Sequence, residues 1–304
     1  MVMVLAGGPD RERDVSLNSG GEVAKALREA GHRVVQRDIT PDNLSALDEF
    51  SSLGCQVLFP VMHGSWGEGG PLQELLDARA IPYVGSRAPA ASLCMDKHRT
   101  KAALVQAGLP TPAFELLTPA KRRTVRPPLV FKPLREGSSI DLVICEDAEQ
   151  ARRARHRLGT RYPELLVEQY IRGRELTVGV IADPTVAGGV RALPAIHIVP
   201  ATAYYDYDAK YDRNDTQYLF DIDLPEEVLS QIAMICVEAF ITLGCRHMGR
   251  VDLMVDRQDQ PWILEVNTIP GFTTHSLLPK AANHAGMPMP VFVDYLVRMA
   301  AGNV

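Results

Sequence analysis

The sequence predicts a mixed α/β (α+β) protein with more than one domain, and three observations carry that prediction. The chain has 304 residues, more than a single hydrophobic core usually organises. Near the N-terminus, a strand at 2–6, a helix ending near Ala30 and a strand from Val34 make a βαβ unit, which is typical of a parallel sheet. Near the C-terminus, two segments of alternating polarity flank the turn-forming residues 256–261 and predict an antiparallel hairpin.

Composition and charge exclude several classes of protein. The net charge of −5 disfavours a nucleic-acid partner, and no apolar run approaches the roughly 20 residues that span a bilayer. The first residues lack the basic region of a signal peptide and are interpreted as a strand. The five cysteines are scattered without metal-ligand spacing, which predicts reduced thiols and a cytoplasmic location.

Two loops of the N-terminal part are candidates for ligand contact. Glycines 7 and 8 follow the first strand, but the G-x-G-x-x-G pattern of dinucleotide-binding proteins is absent. In the polar stretch that follows, Ser16 or Asp14 is a candidate N-cap, and Glu12 either belongs to the cap region or projects into a cleft. His63 opens a glycine-rich loop at the end of the strand 57–61, where open α/β sheets bind ligands.

The middle of the chain carries features that suit phosphate binding. The pattern predicts a helix over 90–108, and Lys132 lies on an apolar strand, where a buried ammonium needs an anion. The small residues that follow, at 135–139, are suited to cradling phosphates, although they do not form a Walker A loop. Strands at 165–171 and 174–181 predict a hairpin whose carboxylates, Glu168 and Glu175, bind a ribose or are merely exposed.

The C-terminal hairpin predicts a metal site. If its strands pair, Asp252, Glu265 and Asn267 converge on one face and offer the all-oxygen ligands that Mg²⁺ prefers. The alternative is a solvated face with ordinary surface charge. Upstream, four tyrosines lie between 204 and 211, in a segment that is either a surface loop or an active-site lid. Taken together, these parts suggest phosphoryl transfer from ATP to a small acceptor.

The motifs resemble those of the ATP-grasp superfamily and, within it, the D-alanine–D-alanine ligase family, along nearly the whole chain. The segment Glu265-Val-Asn267 is typical of ATP-grasp proteins, whereas Ser138-Ser139 and the Tyr205–Tyr211 segment resemble the ligases specifically. The resemblance implies a three-domain ATP-grasp fold with an N-terminal parallel α/β domain. Its expected domains are an N-terminal substrate domain at 1–93, a central subdomain at 94–178, and a C-terminal subdomain at 179–304 with a lid loop at about 201–216.

The resemblance also implies the nucleotide and metal contacts. The lysines at 97, 132 and 210 are expected to contact ATP, Glu168 and the Ile171 backbone its adenine, and Glu175 its ribose. The expected ligands of two Mg²⁺ ions, for which Mn²⁺ can substitute, are Asp252, Glu265 and Asn267. Nucleotide contacts are further expected from Lys97, Lys132, Ser138, Ser139, Glu168, Ile171, Glu175 and Lys210.

The implied contacts to D-alanine involve a different set of residues. Glu12 is expected to hold the ammonium of the first D-alanine, with His63 nearby. Arg250 and the Gly271 N–H are expected to stabilise the oxyanion, while Ser276 and the Leu277 backbone hold the carboxylate of the second D-alanine. A hydrogen-bond link that closes the lid is expected to join Glu12, Ser138 and Tyr211.

The resemblance implies a cytoplasmic homodimer that makes D-alanyl-D-alanine for peptidoglycan precursors and the bacterial cell wall. Alternatives are a ligase with D-lactate or D-serine as second substrate, and a homologue that binds nucleotide without turnover. Four features depart from the family pattern, one of which is the unusual segment Cys245-Arg-His-Met-Gly249. An aspartate commonly follows Glu68, and an acid is usual at His197. The position of Asp141 usually has a small residue, so that Asp141 adds negative charge beside the phosphate loop.

Overall fold

The computed structural model describes residues 1–201 and 215–302. Within these residues the chain forms one parallel sheet near the N-terminus and two antiparallel sheets farther along. The predicted mixed α/β class is thereby confirmed. Among the described helices, none is both long and apolar enough to cross a membrane.

The N-terminal sheet has the strand order β2-β1-β3, with all neighbours parallel. The N-cap prediction for α1 was wrong: the helix begins at Arg13. Ser16 is not a cap because its hydroxyl accepts from the Gly7 N–H at 2.9 Å and donates to the Val61 carbonyl at 2.6 Å. The elements are β1 (Val2–Ala6), α1 (Arg13–Glu29), β2 (Val34–Asp38), α2 (Ser45–Ser52), β3 (Val57–Pro60), α3 (Gly64–Gly67) and α4 (Pro71–Ala78).

The second sheet has the order β4-β7-β5-β6 and is antiparallel. The helix predicted over 90–108 is two helices, because Asp96 adopts an extended conformation between them and accepts a hydrogen bond from the Arg99 N–H as an N-cap. The elements are α5 (Ala88–Met95), α6 (Lys97–Gln106), β4 (Phe114–Leu117), β5 (Leu129–Pro133), β6 (Val143–Cys145), α7 (Ala148–Gly159) and β7 (Leu165–Gln169).

The third sheet has the path β11-β10-β8-β12-β13, with β9 pairing with β8. The predicted hairpin of 165–171 with 174–181 was wrong, since β7 pairs with β4 and β5 whereas β8 pairs with β9, β10 and β12. The elements are β8 (Gly173–Ala182), β9 (Val190–Ala192), β10 (Ile196–Val199), β11 (Gln217–Leu219), α8 (Glu226–Thr242), β12 (Met248–Asp256), β13 (Pro261–Asn267), α9 (Leu277–His284) and α10 (Met289–Ala301).

An apolar core joins the N-terminal sheet to the C-terminal helices. Phe59 of β3 packs edge-on against Phe272, with ring centroids 5.3 Å apart, and Phe272 stacks with Phe292 of α10. All three rings are fully buried. The burial of such rings stabilises this contact strongly. It brings the loop after β3 close to the residues that follow β13.

Candidate active site

A cleft of about 870 Å³ lies between the second and third sheets. Its walls are largely apolar and are formed by side chains from β5, β6, β12 and β13. Such a cleft suits a flat aromatic ring, such as a nucleotide base. The cleft gathers most of the residues that the sequence predicted for nucleotide and metal binding. These are Lys97, Lys132, Ser139, Glu168, Ile171, Glu175, Asp252 and Glu265.

A buried cluster of charges lies at the base of this cleft. Glu168 on β7 forms ion pairs with Lys132 and, at 2.8 Å, with Lys101. Burial alone raises the pKa of Glu168, but the two ammonium groups outweigh burial and lower it. For Lys132, burial is outweighed by Glu168 and Glu265, which raise its pKa. Glu168 and Lys132 are therefore both charged at neutral pH.

Lys101 was not assigned a role from the sequence, although a signal was available. It lies four residues after Lys97 on α6, and this spacing puts both side chains on the same face of the helix. Lys101 is fully buried, and its ammonium also donates to the Thr111 hydroxyl at 2.7 Å. Burial lowers the pKa of Lys101, and Lys132 adds to this effect.

Lys97 connects the cleft to the predicted metal ligands. Its ammonium donates to the Glu136 carbonyl at 2.7 Å and lies 3.4 Å from a Glu265 carboxylate oxygen. The position is set by the first turn of α6, whose start is fixed by the Asp96 cap. The Lys97 ammonium therefore lies between the Glu136 carbonyl and the Glu265 carboxylate of the hairpin.

The predicted C-terminal hairpin is present, and its register brings the candidate metal ligands together. β12 pairs antiparallel with β13, so that Asp252 lies opposite Glu265 and Arg250 lies opposite Asn267. Thr177 of β8, which the sequence reasoning missed, donates to Asp252 at 2.6 Å. Arg250 donates to both oxygens of the same carboxylate.

The donor set of this hairpin fits a hard divalent cation. Two carboxylates and one amide oxygen are the ligand types of Mg²⁺, which usually takes its remaining ligands from water and substrate phosphates. Within the described residues, no group of three or more His, Cys, Asp or Glu side chains gathers to hold a metal. Lys97 and Arg250 lie beside Glu265 and Asp252 and balance their charge.

The loop at 137–142 borders the cleft and has an unusual backbone. Ser138, Ser139 and Asp141 all have positive φ, at 52°, 58° and 56°. The Ser138 hydroxyl donates a hydrogen bond to a Glu12 carboxylate oxygen, which joins this loop to the N-terminal part of the chain. Two of the three members of the predicted link, Glu12 and Ser138, are thus in contact.

A second cavity, of about 710 Å³, adjoins the first. It gathers the residues predicted to contact D-alanine, and it also contains Glu68, Thr273 and His275, which the sequence reasoning did not single out. The predicted residues that line this cavity are Glu12, His63, Ser138, Arg250, Glu265, Asn267, Gly271, Ser276 and Leu277.

His63 presents a polar atom to this cavity. Its Nε2 is buried and has no hydrogen-bond partner among the described residues, while Nδ1 lies 4.0 Å from Glu68. Burial lowers the pKa of His63, but the carboxylates of Glu68 and Glu12 outweigh burial and raise it. A buried ring nitrogen without a hydrogen-bond partner is costly, and a polar ligand in this cavity can satisfy it.

The far wall of the second cavity is built around the start of α9. Ser276 is the N-cap of this helix, and Leu277 is its first residue. The Ser276 hydroxyl accepts from the Thr273 N–H at 2.9 Å, and a Cβ at Gly271 would lie 2.8 Å from the Ser276 oxygen. A side chain at 271 would displace the Ser276 hydroxyl, and the N–H groups at the start of a helix are suited to a carboxylate.

Two predicted site residues, Lys210 and Tyr211, lie outside the described residues, as does most of the predicted lid. Every other predicted site residue lines one of the two cavities. The sequence therefore identified residues that are far apart along the chain and close together in the fold.

The family described as "D-ala D-ala ligase C-terminus" matches residues 104–298. A "D-alanine--D-alanine ligase" of Bordetella avium is 44% identical over 295 residues, covering 94% of this chain and 90% of the relative. A relative of the same name from Hydrogenovibrio crunogenus is 40% identical over 303 residues, covering 98% of this chain and 94% of the relative.

Solved structures agree with this relationship. The D-alanine–D-alanine ligase of Coxiella burnetii has a TM-score of 0.84 at 26% identity, covering 99% of this chain and 93% of that chain. The enzyme of Bacillus anthracis complexed with ATP has a TM-score of 0.80 at 28% identity, covering 98% of this chain and 96% of that chain. The chain belongs to the D-alanine–D-alanine ligase family.

Proposed function

We propose that the protein is an ATP-dependent ligase that joins two D-alanines to D-alanyl-D-alanine and releases ADP and phosphate. The adjacency of the two cavities carries this proposal. Gly137 and Glu265 line both of them, so a nucleotide in one cavity and an amino acid in the other meet at these residues. The first cavity has the apolar walls and lysines that a nucleotide needs, and the second has groups for ammonium and carboxylate.

The first proposed step activates a carboxylate. Glu12 holds the ammonium of the first D-alanine. A carboxylate oxygen of that D-alanine attacks the γ-phosphorus of ATP. ADP leaves, and the product is an acylphosphate. Lys97 and Lys132 neutralise the phosphate charge, which is the main contribution of proteins to phosphoryl transfer. Lys97 suits this role because it lies between the loop at 137–142 and Glu265.

The second proposed step forms the peptide bond. The ammonium of the second D-alanine first loses a proton to solvent, and the resulting amine attacks the acylphosphate carbonyl. Phosphate leaves with the electrons of the broken C–O bond, and the new amide nitrogen loses its extra proton to solvent. Arg250 and the Gly271 N–H stabilise the oxyanion that develops. Ser276 and the Leu277 N–H hold the carboxylate of the attacking molecule at the start of α9.

Asp252, Glu265 and Asn267 are proposed to hold the Mg²⁺ ions, which, when bound, neutralise phosphate oxygens as charge moves onto ADP. We further propose a homodimer in the cytoplasm, a role in peptidoglycan precursor synthesis, and the domain division at 93 and 178. The second boundary falls inside β8, so the hydrogen-bonded sheet itself connects the central and C-terminal parts.

The proposal is tested by incubating the purified protein with ATP, Mg²⁺ and D-alanine. We expect ADP, phosphate and dipeptide in equal amounts, and loss of all three after chelation of the metal. Absence of phosphate release with every D-amino acid would contradict the proposal. Faster turnover with D-lactate or D-serine as acceptor would assign a different second substrate, and Mg-ATP binding without turnover would indicate an impaired homologue.

A further inference from the structure

Asp141 is the last left-handed residue of the phosphate-binding loop, defined here as residues 137–142. Its negative charge adjoins the cleft proposed for nucleotide phosphates, where Ser139, Ile140 and Leu142 are lining residues. By charge alone, an aspartate at this position repels the phosphates and weakens nucleotide binding. The contacts of its side chain give the opposite expectation.

The Asp141 carboxylate is held by two partners at the end of α7. Oδ1 accepts a hydrogen bond from Arg161 at 2.6 Å, and Oδ2 accepts one from the Tyr162 hydroxyl at 2.6 Å. Burial raises the pKa of Asp141, but the hydrogen bonds of Tyr162 and Arg161 outweigh it and lower the pKa. The carboxylate is therefore ionised and its charge is compensated on the side away from the cleft.

Backbone hydrogen bonds fix both partners after α7, and Tyr162 also packs against the core of the second sheet, whereas the Arg161 side chain is half exposed. The N–H groups of Arg161 and Tyr162 both donate to the Leu158 carbonyl, which ends α7 in a defined turn. The Tyr162 ring packs against the apolar cluster that contains the fully buried Leu158. Burial and the Asp141 hydrogen bond raise the pKa of Tyr162 to about 12, so its hydroxyl is a donor throughout the neutral range.

The loop itself needs such an anchor. Three of its non-glycine residues have left-handed backbone conformations, each of which is unfavourable for an L-residue outside a structure that enforces it. Two turn hydrogen bonds lie within the loop, from Ile140 N–H to the Gly137 carbonyl and from Leu142 N–H to the Ser139 carbonyl. At one end the loop contacts Glu12 through Ser138, and at the other end Asp141 contacts α7.

We propose that Asp141 is a positioning residue for nucleotide: its carboxylate, held by Arg161 and Tyr162, fixes the phosphate-binding loop on the end of α7 in the conformation that receives phosphates. This inference rests on the proposed function in that the ligand is taken to be Mg-ATP. It predicts that removal of a negative charge beside the phosphates weakens, and does not strengthen, nucleotide binding.

The test compares Asp141→Gly, Asp141→Asn and Tyr162→Phe with the unmodified protein. Glycine and asparagine both tolerate positive φ, so these variants remove the anchor without imposing backbone strain. Affinity for the non-hydrolysable analogue of Mg-ATP is measured by calorimetry, and thermal unfolding is measured in parallel. We expect Asp141→Gly to weaken the affinity about tenfold, the factor associated with loss of a hydrogen bond to a charged group.

Asp259→Gly is the matched control. Asp259 also has positive φ, at 57°, and an arginine partner, Arg174 at 3.4 Å, but it lies in the turn between β12 and β13. We expect this control to bind nucleotide normally. An equal loss of affinity in Asp259→Gly, or unchanged or tighter binding in Asp141→Gly, would overturn the proposal.

A double-mutant cycle separates positioning from general destabilisation. If the carboxylate acts through Tyr162, Tyr162→Phe costs less affinity in the Asp141→Gly background than alone. Fully additive losses would contradict the proposed contact. The unmodified protein separates a failure of the proposed function from a failure of the proposed role of Asp141. If the unmodified protein does not bind Mg-ATP, the proposed function is contradicted. If all variants bind Mg-ATP as the unmodified protein does, only the positioning role is contradicted.

Discussion

Arg250 donates two hydrogen bonds to Asp252, from Nε to Oδ1 at 2.8 Å and from Nη2 to Oδ2 at 2.7 Å. The two residues are two positions apart on β12, so they lie on the same face of the strand. In the proposed reaction the arginine stabilises the oxyanion and the aspartate holds Mg²⁺. In this structure each therefore compensates the charge of the other, at the point where metal and substrate are proposed to bind.

Arg250→Ala is expected to lower kcat by about 100-fold to 1000-fold, the range observed when one oxyanion donor is removed. Its effect on Mg-ATP affinity is expected to be small or favourable, because the variant frees the Asp252 carboxylate for the metal. Steady-state kinetics and calorimetry measure the two quantities separately. A loss of Mg-ATP affinity as large as the loss of kcat would contradict the role in the transition state.

Lys101→Met is expected to destabilise the fold by about 1–3 kcal/mol, because the buried Glu168 carboxylate loses one of its two ammonium partners and the Thr111 hydroxyl loses a donor. The remaining carboxylate of Glu168 keeps Lys132 as its partner, so the protein is expected to fold. Urea unfolding gives the free energy. Lys25→Met, which changes an exposed lysine on α1, is the control and is expected to change the stability by less than about 0.5 kcal/mol.

His247→Asn tests a contact between the N-terminal part and β12. The Gly85 N–H donates to Nδ1 of His247 at 3.2 Å, so Nδ1 carries no proton and the imidazole is neutral. Burial, with Arg246 and Arg87 nearby, lowers the pKa of His247 to about 3 from its usual 6.5. Asparagine retains an acceptor and tolerates the left-handed φ of 63° at this position.

The sign of the pH dependence follows from this lowered pKa. Below about pH 6.5, His247 binds a proton in the unfolded chain but not in the folded protein. The free energy of unfolding is therefore highest above pH 6.5. Between pH 6.5 and pH 3 it falls by about 1.4 kcal/mol per pH unit as the pH is lowered. Between pH 7.5 and pH 5 the parent protein is expected to lose about 2 kcal/mol relative to His247→Asn. Parallel pH curves for the two proteins would contradict a neutral buried imidazole.

Glu12→Gln tests the proposed ammonium site. The variant retains a hydrogen-bond acceptor for Ser138 but loses the charge, so we expect the KM for D-alanine to rise about tenfold or more. Mg-ATP affinity is expected to remain within about twofold of the parent protein's. Asp14→Asn changes an exposed acid on the same helix and serves as the control. A raised KM in the control, or an unchanged KM in Glu12→Gln, would contradict the assignment.

The sequence pattern within a segment predicted the strand or helix that this segment forms. Alternating polarity predicted β12 and β13, and their pairing followed from the turn between them. The same reasoning misassigned β7 and β8, because adjacency along the chain does not reveal that consecutive strands enter different sheets. It also missed the break at Asp96, where an N-cap interrupts an otherwise continuous helical pattern.

For the site, the residues with a motif were identified, and the residues that support them were not. Lys101 of α6 contacts Glu168 of β7, and Thr177 of β8 contacts Asp252 on the neighbouring strand β12. The helical spacing of Lys101 from Lys97 indicates a shared face but not the partner, and nothing in the sequence indicates that β8 pairs with β12. Asp141 was recognised as unusual, but its contact with Arg161 was not predicted, because Arg161 lies twenty residues downstream, beyond α7. Such partners are determined by packing of distant segments.

Isotopically labelled oxygen reports whether the proposed acylphosphate forms. D-Alanine carrying ¹⁸O in its carboxylate is incubated with the protein, ATP and Mg²⁺, and the released phosphate is analysed by mass spectrometry. If the carboxylate attacks phosphorus, each phosphate carries an ¹⁸O atom after the amine displaces it. Dipeptide formed together with unlabelled phosphate would contradict the account.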